Sequence, residues 1–160
     1  MSTLLLVIDV QKDFVNENTK EYVDKIQKLI NENSYENVAF TKFINNEESL
    51  WYKKLNYKGC MTKEGQEIVL DTKSYKVFEK TIYSALNEEL KEYIKDKEIK
   101  EIYLCGFDTE ACVFKTAIDL FEGGYDVYVL KDYCMTHLGD ISHNVAIDNL
   151  ARLIGKNSIV

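Results

Sequence analysis

The sequence contains no proline and only one arginine, Arg152, among its 160 residues. Proline rigidifies turns, and the arginine guanidinium grips carboxylates through two parallel hydrogen bonds. Proline-stiffened turns are therefore excluded, and bidentate clamps for anions are scarce. This scarcity disfavours a doubly anionic substrate, although lysines can act as point charges in place of arginine.

Positive charge is also in deficit, since 20 basic residues face 27 acidic ones and the net charge is −7. Nucleic acids and anionic membranes need a cationic footprint, so we expect neither as a partner and instead expect a small neutral or cationic molecule. No stretch approaches the roughly 20 apolar residues of a membrane span. The first apolar run, Leu4 to Ile8, is too short for a signal peptide and lacks a preceding basic segment, which favours a soluble cytoplasmic protein.

Cysteines are few and widely separated, and no C-x-x-C pair occurs; they are Cys60, Cys105, Cys112 and Cys134. In an intracellular chain this spacing favours free thiols over a disulfide framework or a zinc knuckle. One of the four is a candidate catalytic thiol.

Apolar runs alternate with amphipathic segments along the chain. The pattern predicts strands at residues 4–10, 37–44, 75–79, 101–107 and 125–130, with a short edge strand at 158–160. It predicts helices at 19–33, with Thr19 or Asn18 as N-cap, and at 85–96, 111–122 and 142–154. The segment 45–71 is irregular and long enough to be a lid or to contain short elements. The alternation predicts one α/β domain over residues 1–160: a three-layer, doubly wound, mostly parallel sheet with helices on both faces.

Three reactive residues fall at the predicted carboxyl ends of strands, where open parallel sheets bind ligands. Asp9 closes the first strand, Lys80 closes the third, and Cys112 opens the helix after the fourth. A carboxylate in a buried apolar strand is costly unless it is paired, so Asp9 needs a partner such as Lys80. A purely structural ion pair is the alternative.

Cys112 lies in the first turn of its predicted helix. The positive end of the helix dipole favours a thiolate there, and the free backbone amides can receive an oxyanion. The alternative is a small buried apolar side chain, as most free cysteines are.

Several motifs carry a family resemblance. D-V-Q-K-D-F begins at Asp9, Lys80 precedes Y-S-A at 83–85, G-F-D-T-E-A-C-V spans 106–113, and D-Y-C spans 132–134. In this order they resemble the isochorismatase-like cysteine hydrolases, a family that includes nicotinamidases. The resemblance runs from about Leu4 to the last predicted helix and so covers nearly the whole chain.

The resemblance implies that Cys112 is the nucleophile, Asp9 the general base, and Lys80 the cation that holds the pair. It implies cleavage of a small amide or related C–N bond through a thioacyl-enzyme that water hydrolyses. In this family a non-proline cis peptide precedes the nucleophile, and the matching bond joins Phe107 to Asp108. The backbone N–H groups of Asp108 and Cys112 are therefore the candidate oxyanion hole.

Three aromatic residues are candidate walls of a substrate pocket: Phe14 by its place in the motif, Trp51 by its place in the long loop, and Tyr83 beside Lys80. Ordinary core packing is the alternative for each. Thr109 matches the motif as well, and a helix N-cap accounts for it.

Many nicotinamidases carry a metal site of an aspartate and histidines after the second strand, commonly with D-x-H spacing. This chain has T-K-F-I-N-N-E-E at 41–48 and no histidine before His137. We therefore predict no catalytic metal and no other cofactor. For His137 and His143 we expect surface or capping positions.

Other interpretations of the function stay open. The fold could be a non-catalytic binding or assembly module, or an isochorismatase-type ether hydrolase, which the shortage of arginine disfavours. Cys112 could instead be a redox-sensing thiol paired with Cys134. The resemblance further implies a homo-oligomer, either a dimer or a tetramer.

Overall fold

A computed structural model describes residues 2–32 and 34–160. Its centre is a five-stranded sheet in the order β3-β2-β1-β4-β5, and all four strand pairings are parallel. The strands are β1 (Thr3–Ile8), β2 (Asn37–Phe43), β3 (Lys76–Lys80), β4 (Glu101–Gly106) and β5 (Asp126–Cys134). This confirms the predicted doubly wound α/β sheet, which is entirely rather than mostly parallel.

Helices cover both faces of the sheet and complete three layers. They are α1 (Lys20–Asn31), α2 (Leu50–Leu55), α3 (Glu88–Asp96), α4 (Phe114–Glu122) and α5 (Asp140–Ile154). Leu4 and Leu6 of β1 share one apolar cluster with α3, α4 and α5, whereas Leu5 and Val7 share the other with α1. The alternation follows from the two-residue period of a strand. No helix within the described residues is long and apolar enough to cross a membrane.

The structure corrects several predicted boundaries. The irregular segment 45–71 contains α2, whose N-cap Ser49 accepts a hydrogen bond from the Tyr52 amide. The helix predicted at 111–122 begins with a π-helical turn at Thr109–Val113 and continues as α4. The predicted edge strand at 158–160 is reduced to one bridge between Val129 and Ile159. The helix predicted at 19–33 corresponds to α1, which ends at Asn31, and Asn33 lies outside the described residues.

The end of β4 passes very close to the end of β1. Gly106 has φ +119°, and a Cβ added there would lie 2.1 Å from the Ile8 carbonyl oxygen. The next residue, Phe107, donates its amide hydrogen to that same carbonyl. Only glycine fits this approach, which sets the start of the turn that carries Cys112 against the end of β1.

The Gly106→Ala substitution should therefore destabilise the fold far more than Gly124→Ala. Gly124 also has a positive φ, of +82°, but a Cβ there meets nothing within 4 Å. For Gly124→Ala we expect the backbone cost alone, about 1–2 kcal/mol of unfolding free energy, and for Gly106→Ala several times that loss. Urea denaturation measures both, and equal losses would show that the contact with Ile8 is unimportant.

Candidate active site

The structure brings Asp9, Lys80 and Cys112 together at the carboxyl ends of the strands. The Lys80 Nζ lies 2.7 Å from Asp9 Oδ2 and 3.4 Å from Cys112 Sγ. The Asp9 carboxylate also lies close enough to the Cys112 thiol to raise its pKa. Asp9 directly follows β1, Lys80 ends β3, and Cys112 lies in the turn after β4. Parallel strands end at one rim of the sheet, so residues far apart in sequence meet there.

Thr41 lies on β2, the strand between β1 and β3, and holds the Asp9 carboxylate in place. Its hydroxyl donates to Asp9 Oδ1 at 2.6 Å and accepts the Asp9 amide hydrogen at 3.1 Å. Asp9 has φ 47°, a left-handed conformation that ends β1 at Ile8, two residues before the predicted end of the strand. The carboxylate therefore has one oxygen held by Thr41 and the other facing Lys80.

Lys80 is almost fully buried but is not short of partners. Its Nζ donates to the backbone carbonyls of Ile82 and Tyr83 at 2.9 and 3.1 Å. Burial lowers the pKa of its ammonium, but Asp9 and Cys112 outweigh this effect, so the pKa is raised overall. The side chain therefore stays charged beside the thiol.

The electrostatics correct the expected thiolate. Cys112 is only 6% exposed. Burial raises the pKa of its thiol well above the ordinary value, the Asp9 carboxylate raises it further, and Lys80 only partly opposes them. The expectation of a resting thiolate was wrong because desolvation and a neighbouring anion outweigh the helix terminus. At rest Cys112 is therefore a neutral thiol beside the Asp9 carboxylate. A low chemical reactivity of this thiol near neutral pH does not by itself indicate a non-catalytic module.

The backbone before Cys112 has an unusual path. The peptide bond between Phe107 and Asp108 is cis, as the resemblance implies. The Asp108 carbonyl accepts hydrogen bonds from the amides of Ala111 and Val113, which flank Cys112 in the turn. The candidate oxyanion donors, the N–H groups of Asp108 and Cys112, belong to this stretch.

Cys112 borders a cavity of about 230 Å³ with mostly apolar walls. All three aromatic candidates line it, and the Trp51 ring lies edge-on to Tyr83 at 5.0 Å between ring centroids. Their role in binding stays a prediction. Sequence reasoning missed the other lining residues: Phe43, Leu55, Tyr57, Glu110, Ala111 and His137. A larger open groove of about 680 Å³ lies along the β2–β3 edge, and its lining includes none of the three reactive residues.

Two further polar residues of the D-V-Q-K-D-F motif hold the long loop in place. Gln11 is fully buried; its Nε2 donates to the carbonyls of Phe43 and Gln66, and its Oε1 accepts from the Phe43 amide. Asp13 accepts a hydrogen bond of 2.7 Å from the Cys60 amide. These bonds attach the segment 45–71, through Gln66 and Cys60, to the residues that directly follow β1.

The structure also corrects the expectations for the histidines and Thr109. His143 is buried in α5, and its Nδ1 lies 2.7 Å from the Thr109 hydroxyl, so neither residue has the surface or capping role we expected. The turn begins at Asp108 without a side-chain cap. His137 Nδ1 lies 2.6 Å from Asp108 Oδ2, and its ring lines the cavity with Cys112. No periodic signal in the sequence marks either contact, because both join distant segments.

The two histidines should titrate in opposite directions from the ordinary value of 6.5. The hydrogen bond to Asp108 raises the pKa of His137, whereas burial lowers the pKa of His143. Because the folded pKa of His137 lies above its unfolded value, its pair with Asp108 stabilises the fold below about pH 6.5 and fades as pH rises through the folded pKa. NMR should show the His137 ring titrating at the higher pH, with His137→Gln assigning the signals; the reverse order would contradict the pairing.

All four cysteines are buried free thiols. Among residues 2–32 and 34–160, no group of three or more His, Cys, Asp or Glu side chains is placed to hold a metal ion. The absence of a catalytic metal remains a prediction.

These observations define a three-layer α/β protein with a buried thiol, carboxylate and ammonium beside a small apolar cavity. Residues 3–157 match the isochorismatase domain family, and the chain belongs to that family. A 60-residue stretch is 42% identical to isochorismatase domain-containing protein 2 of Xenopus laevis, covering 37% of this chain and 29% of that protein. The chain's match therefore spans less than a third of that relative's length.

Two solved structures share the fold. A nicotinamidase from Bacillus subtilis superposes with a TM-score of 0.83 at 23% identity, covering 97% of each chain. An N-carbamoylsarcosine amidase from Thermoplasma acidophilum gives a TM-score of 0.82 at 20% identity, covering 97% of this chain and 94% of that one. At these identities the similarity shows the architecture.

Proposed function

We propose that this protein is a cysteine hydrolase that cleaves a small amide or a related C–N bond through a thioacyl intermediate on Cys112. The convergence of Cys112, Asp9 and Lys80 beside the cavity carries the proposal. A carboxylate beside a thiol is placed to act as its base, and a lysine fixed by three oxygens keeps that base ionised. Membership of the isochorismatase family and the amidase folds of its structural neighbours support the reaction class.

Acylation begins when the thiol proton moves to Asp9 as the sulfur attacks the amide carbon. The developing oxyanion is received by the backbone N–H groups of Asp108 and Cys112. Lys80 stabilises the sulfur's negative charge through its 3.4 Å contact. Protonated Asp9 then gives its proton to the leaving nitrogen, so ammonia or an amine departs and the acyl group remains on sulfur.

Deacylation reverses the proton path. Asp9, again a carboxylate, takes a proton from water as the water oxygen attacks the thioester carbon. The carbon–sulfur bond breaks, and the proton on Asp9 returns to the sulfur. The balance is one amide and one water consumed, one acid and one amine released, and the neutral thiol restored.

The cavity indicates a small, flat and neutral substrate. Its volume is about 230 Å³, and Phe14, Trp51 and Tyr83 offer ring surfaces for a planar group. Lys80, the cation nearest the sulfur, is already engaged by Asp9 and two carbonyls. We further propose that the enzyme acts without a metal and as a homo-oligomer, to be checked by activity in EDTA and by light scattering.

Ammonia release from a panel of small aromatic amides, ureas and carbamoyl compounds tests the function. We expect at least one compound to be hydrolysed with a pre-steady-state burst or a trapped acyl adduct on Cys112 visible by mass spectrometry. The burst separates a thioacyl route from direct attack by water. A panel that binds in the cavity without turnover or adduct would instead support the binding module.

A further inference from the structure

Hydrogen bonds to three residues hold His137 in place at the edge of the cavity. Its backbone amide donates to Asp108 Oδ1 at 3.0 Å, and its Nδ1 lies 2.6 Å from Asp108 Oδ2. Its carbonyl accepts hydrogen bonds from Asn16 Nδ2 at 2.8 Å and Asn18 Nδ2 at 2.9 Å. The ring is nevertheless 40% exposed and borders the same cavity as Cys112. Such fixation of a partly exposed polar ring is the arrangement expected of a binding group.

The contact with Asp108 also sets the chemistry of the ring. A carboxylate oxygen can only accept, so Nδ1 carries the hydrogen of that bond. The remaining ring nitrogen, Nε2, has no hydrogen-bond partner within the described parts of the chain. Asp108 raises the pKa of the ring, which outweighs the effect of burial, and Glu110 adds to the rise. With Nδ1–H bonded to Asp108, the ring presents Nε2–H as a donor at a pH below its folded pKa, where it is an imidazolium, and Nε2 as an acceptor above it. The binding tests below are therefore made at a pH where the His137 ring signals show it protonated.

We infer that His137 is a substrate-binding residue of the proposed amidase and that its Nε2–H donates a hydrogen bond to a second acceptor of the substrate. This acceptor is a ring nitrogen, carbonyl or carboxylate oxygen at a position other than the scissile amide. The inference rests on the proposed function and narrows its substrate class to small planar amides that carry such a group.

Glu110 is the competing polar group on the cavity wall, and it would select the opposite chemistry, a donor or a cation. One of its oxygens, Oε1, already accepts from the Thr136 hydroxyl at 2.8 Å. The other, Oε2, is shielded from solvent without a partner among the described residues. A ligand cannot reach Oε2 unless the wall rearranges, whereas the His137 ring is accessible. The geometry therefore favours recognition of an acceptor.

A matched pair of substrates isolates this contact. Nicotinamide and benzamide have the same shape and differ by one ring nitrogen, which is a hydrogen-bond acceptor. We expect the wild-type protein to favour nicotinamide by roughly 10- to 100-fold in kcat/KM, mostly through KM, as one charge-assisted hydrogen bond allows. His137→Ala should abolish the preference, and His137→Gln, which keeps a neutral donor, should restore part of it.

Glu110→Gln tests the competing group on the same wall; because Glu110 adds to the rise in the His137 pKa, this variant should weaken the preference for nicotinamide without abolishing it. An active His137→Ala variant that still prefers nicotinamide as strongly as wild type would overturn the inference, while the hydrolase function would stand. A preference that disappears in Glu110→Gln alone would overturn it as well. Circular dichroism melts of each variant establish that the fold is intact.

A binding measurement separates the inference from catalysis. The chain has only two histidines, so the ring protons of His137 can be followed directly in the inactive Cys112→Ala variant. Nicotinamide should raise the pKa at which the His137 ring titrates, whereas benzamide at equal occupancy should shift the signals through its ring current but leave that pKa unchanged. If these shifts occur but no amide is ever hydrolysed by the wild-type protein, the proposed function fails and the binding role remains. Equal effects of the two ligands on His137 would refute the binding role.

Discussion

Cys112→Ala should lower the hydrolysis rate by roughly 10⁴-fold or more, the scale seen when a nucleophile is removed from a covalent hydrolase. The loss should appear in kcat, because the sulfur forms a bond only after the substrate is bound. Cys112→Ser should be nearly as inactive, since a serine hydroxyl is far less acidic than a thiol and Asp9 is placed for a thiol proton. Steady-state ammonia release measures both variants.

Cys105→Ala is the control for this experiment. Cys105 is fully buried in β4 and belongs to the apolar cluster with α1, on the face of the sheet opposite to the cluster that contains Cys112. Its loss should cost stability but leave catalysis within a few-fold of wild type. If Cys112→Ala retained a tenth of the wild-type rate, the thioacyl route would be ruled out.

Lys80→Met should cost about 3–5 kcal/mol of unfolding free energy, because it leaves the buried Asp9 carboxylate without its counter-charge. Asp9→Asn should cost less. The Lys80 ammonium would still have the carbonyls of Ile82 and Tyr83, whereas Asp9 without Lys80 would keep only Thr41 and the thiol. The double variant should be more stable than the sum of the two losses predicts, since neither charge is then left unpaired.

An exposed ion pair gives the comparison for this buried one. Lys91 lies 2.8 Å from Glu88 in α3, with side-chain exposures of 45% and 84%. Lys91→Met should leave the unfolding free energy almost unchanged, because solvent screens such pairs. Urea denaturation of all four variants at one pH is the measurement. A Lys80→Met loss as small as that of Lys91→Met would mean that the Asp9 charge is relieved in another way.

Much of the fold could be predicted from local patterns. The apolar run of β1 and the helical spacing of α1 and α3 are periodic signals, and the alternation of strands and helices is enough to specify a parallel sheet. The predictions were wrong where the backbone departs from a regular period. The π-helical turn at Thr109–Val113 and the left-handed Asp9 are set by contacts with distant segments, such as Ile8 with Gly106 and Thr41 with Asp9.

For the site, residue type and position at strand ends made Asp9, Lys80 and Cys112 candidates, because a buried acid needs a partner and parallel strands share a rim; the family resemblance then assigned them their roles. The protonation state of the Cys112 thiol could not be predicted from residue type and position. It depends on burial and on the summed effect of two opposite charges, which only their distances decide. We expected a thiolate, and the structure has a neutral thiol beside the Asp9 carboxylate instead.

The sequence by itself determined the parallel sheet, because strands and helices have local periods of apolar residues. It also determined the family and the three candidate residues, because these belong to short motifs. Only the tertiary structure decided which groups share the cavity, because His137, Glu110 and Tyr57 reach it from segments that carry no common pattern. The hydrogen bonds from His137 to Asp108 and from Gln11 to the long loop join residues that are distant in the chain, and such contacts exist only once the sheet has brought them together.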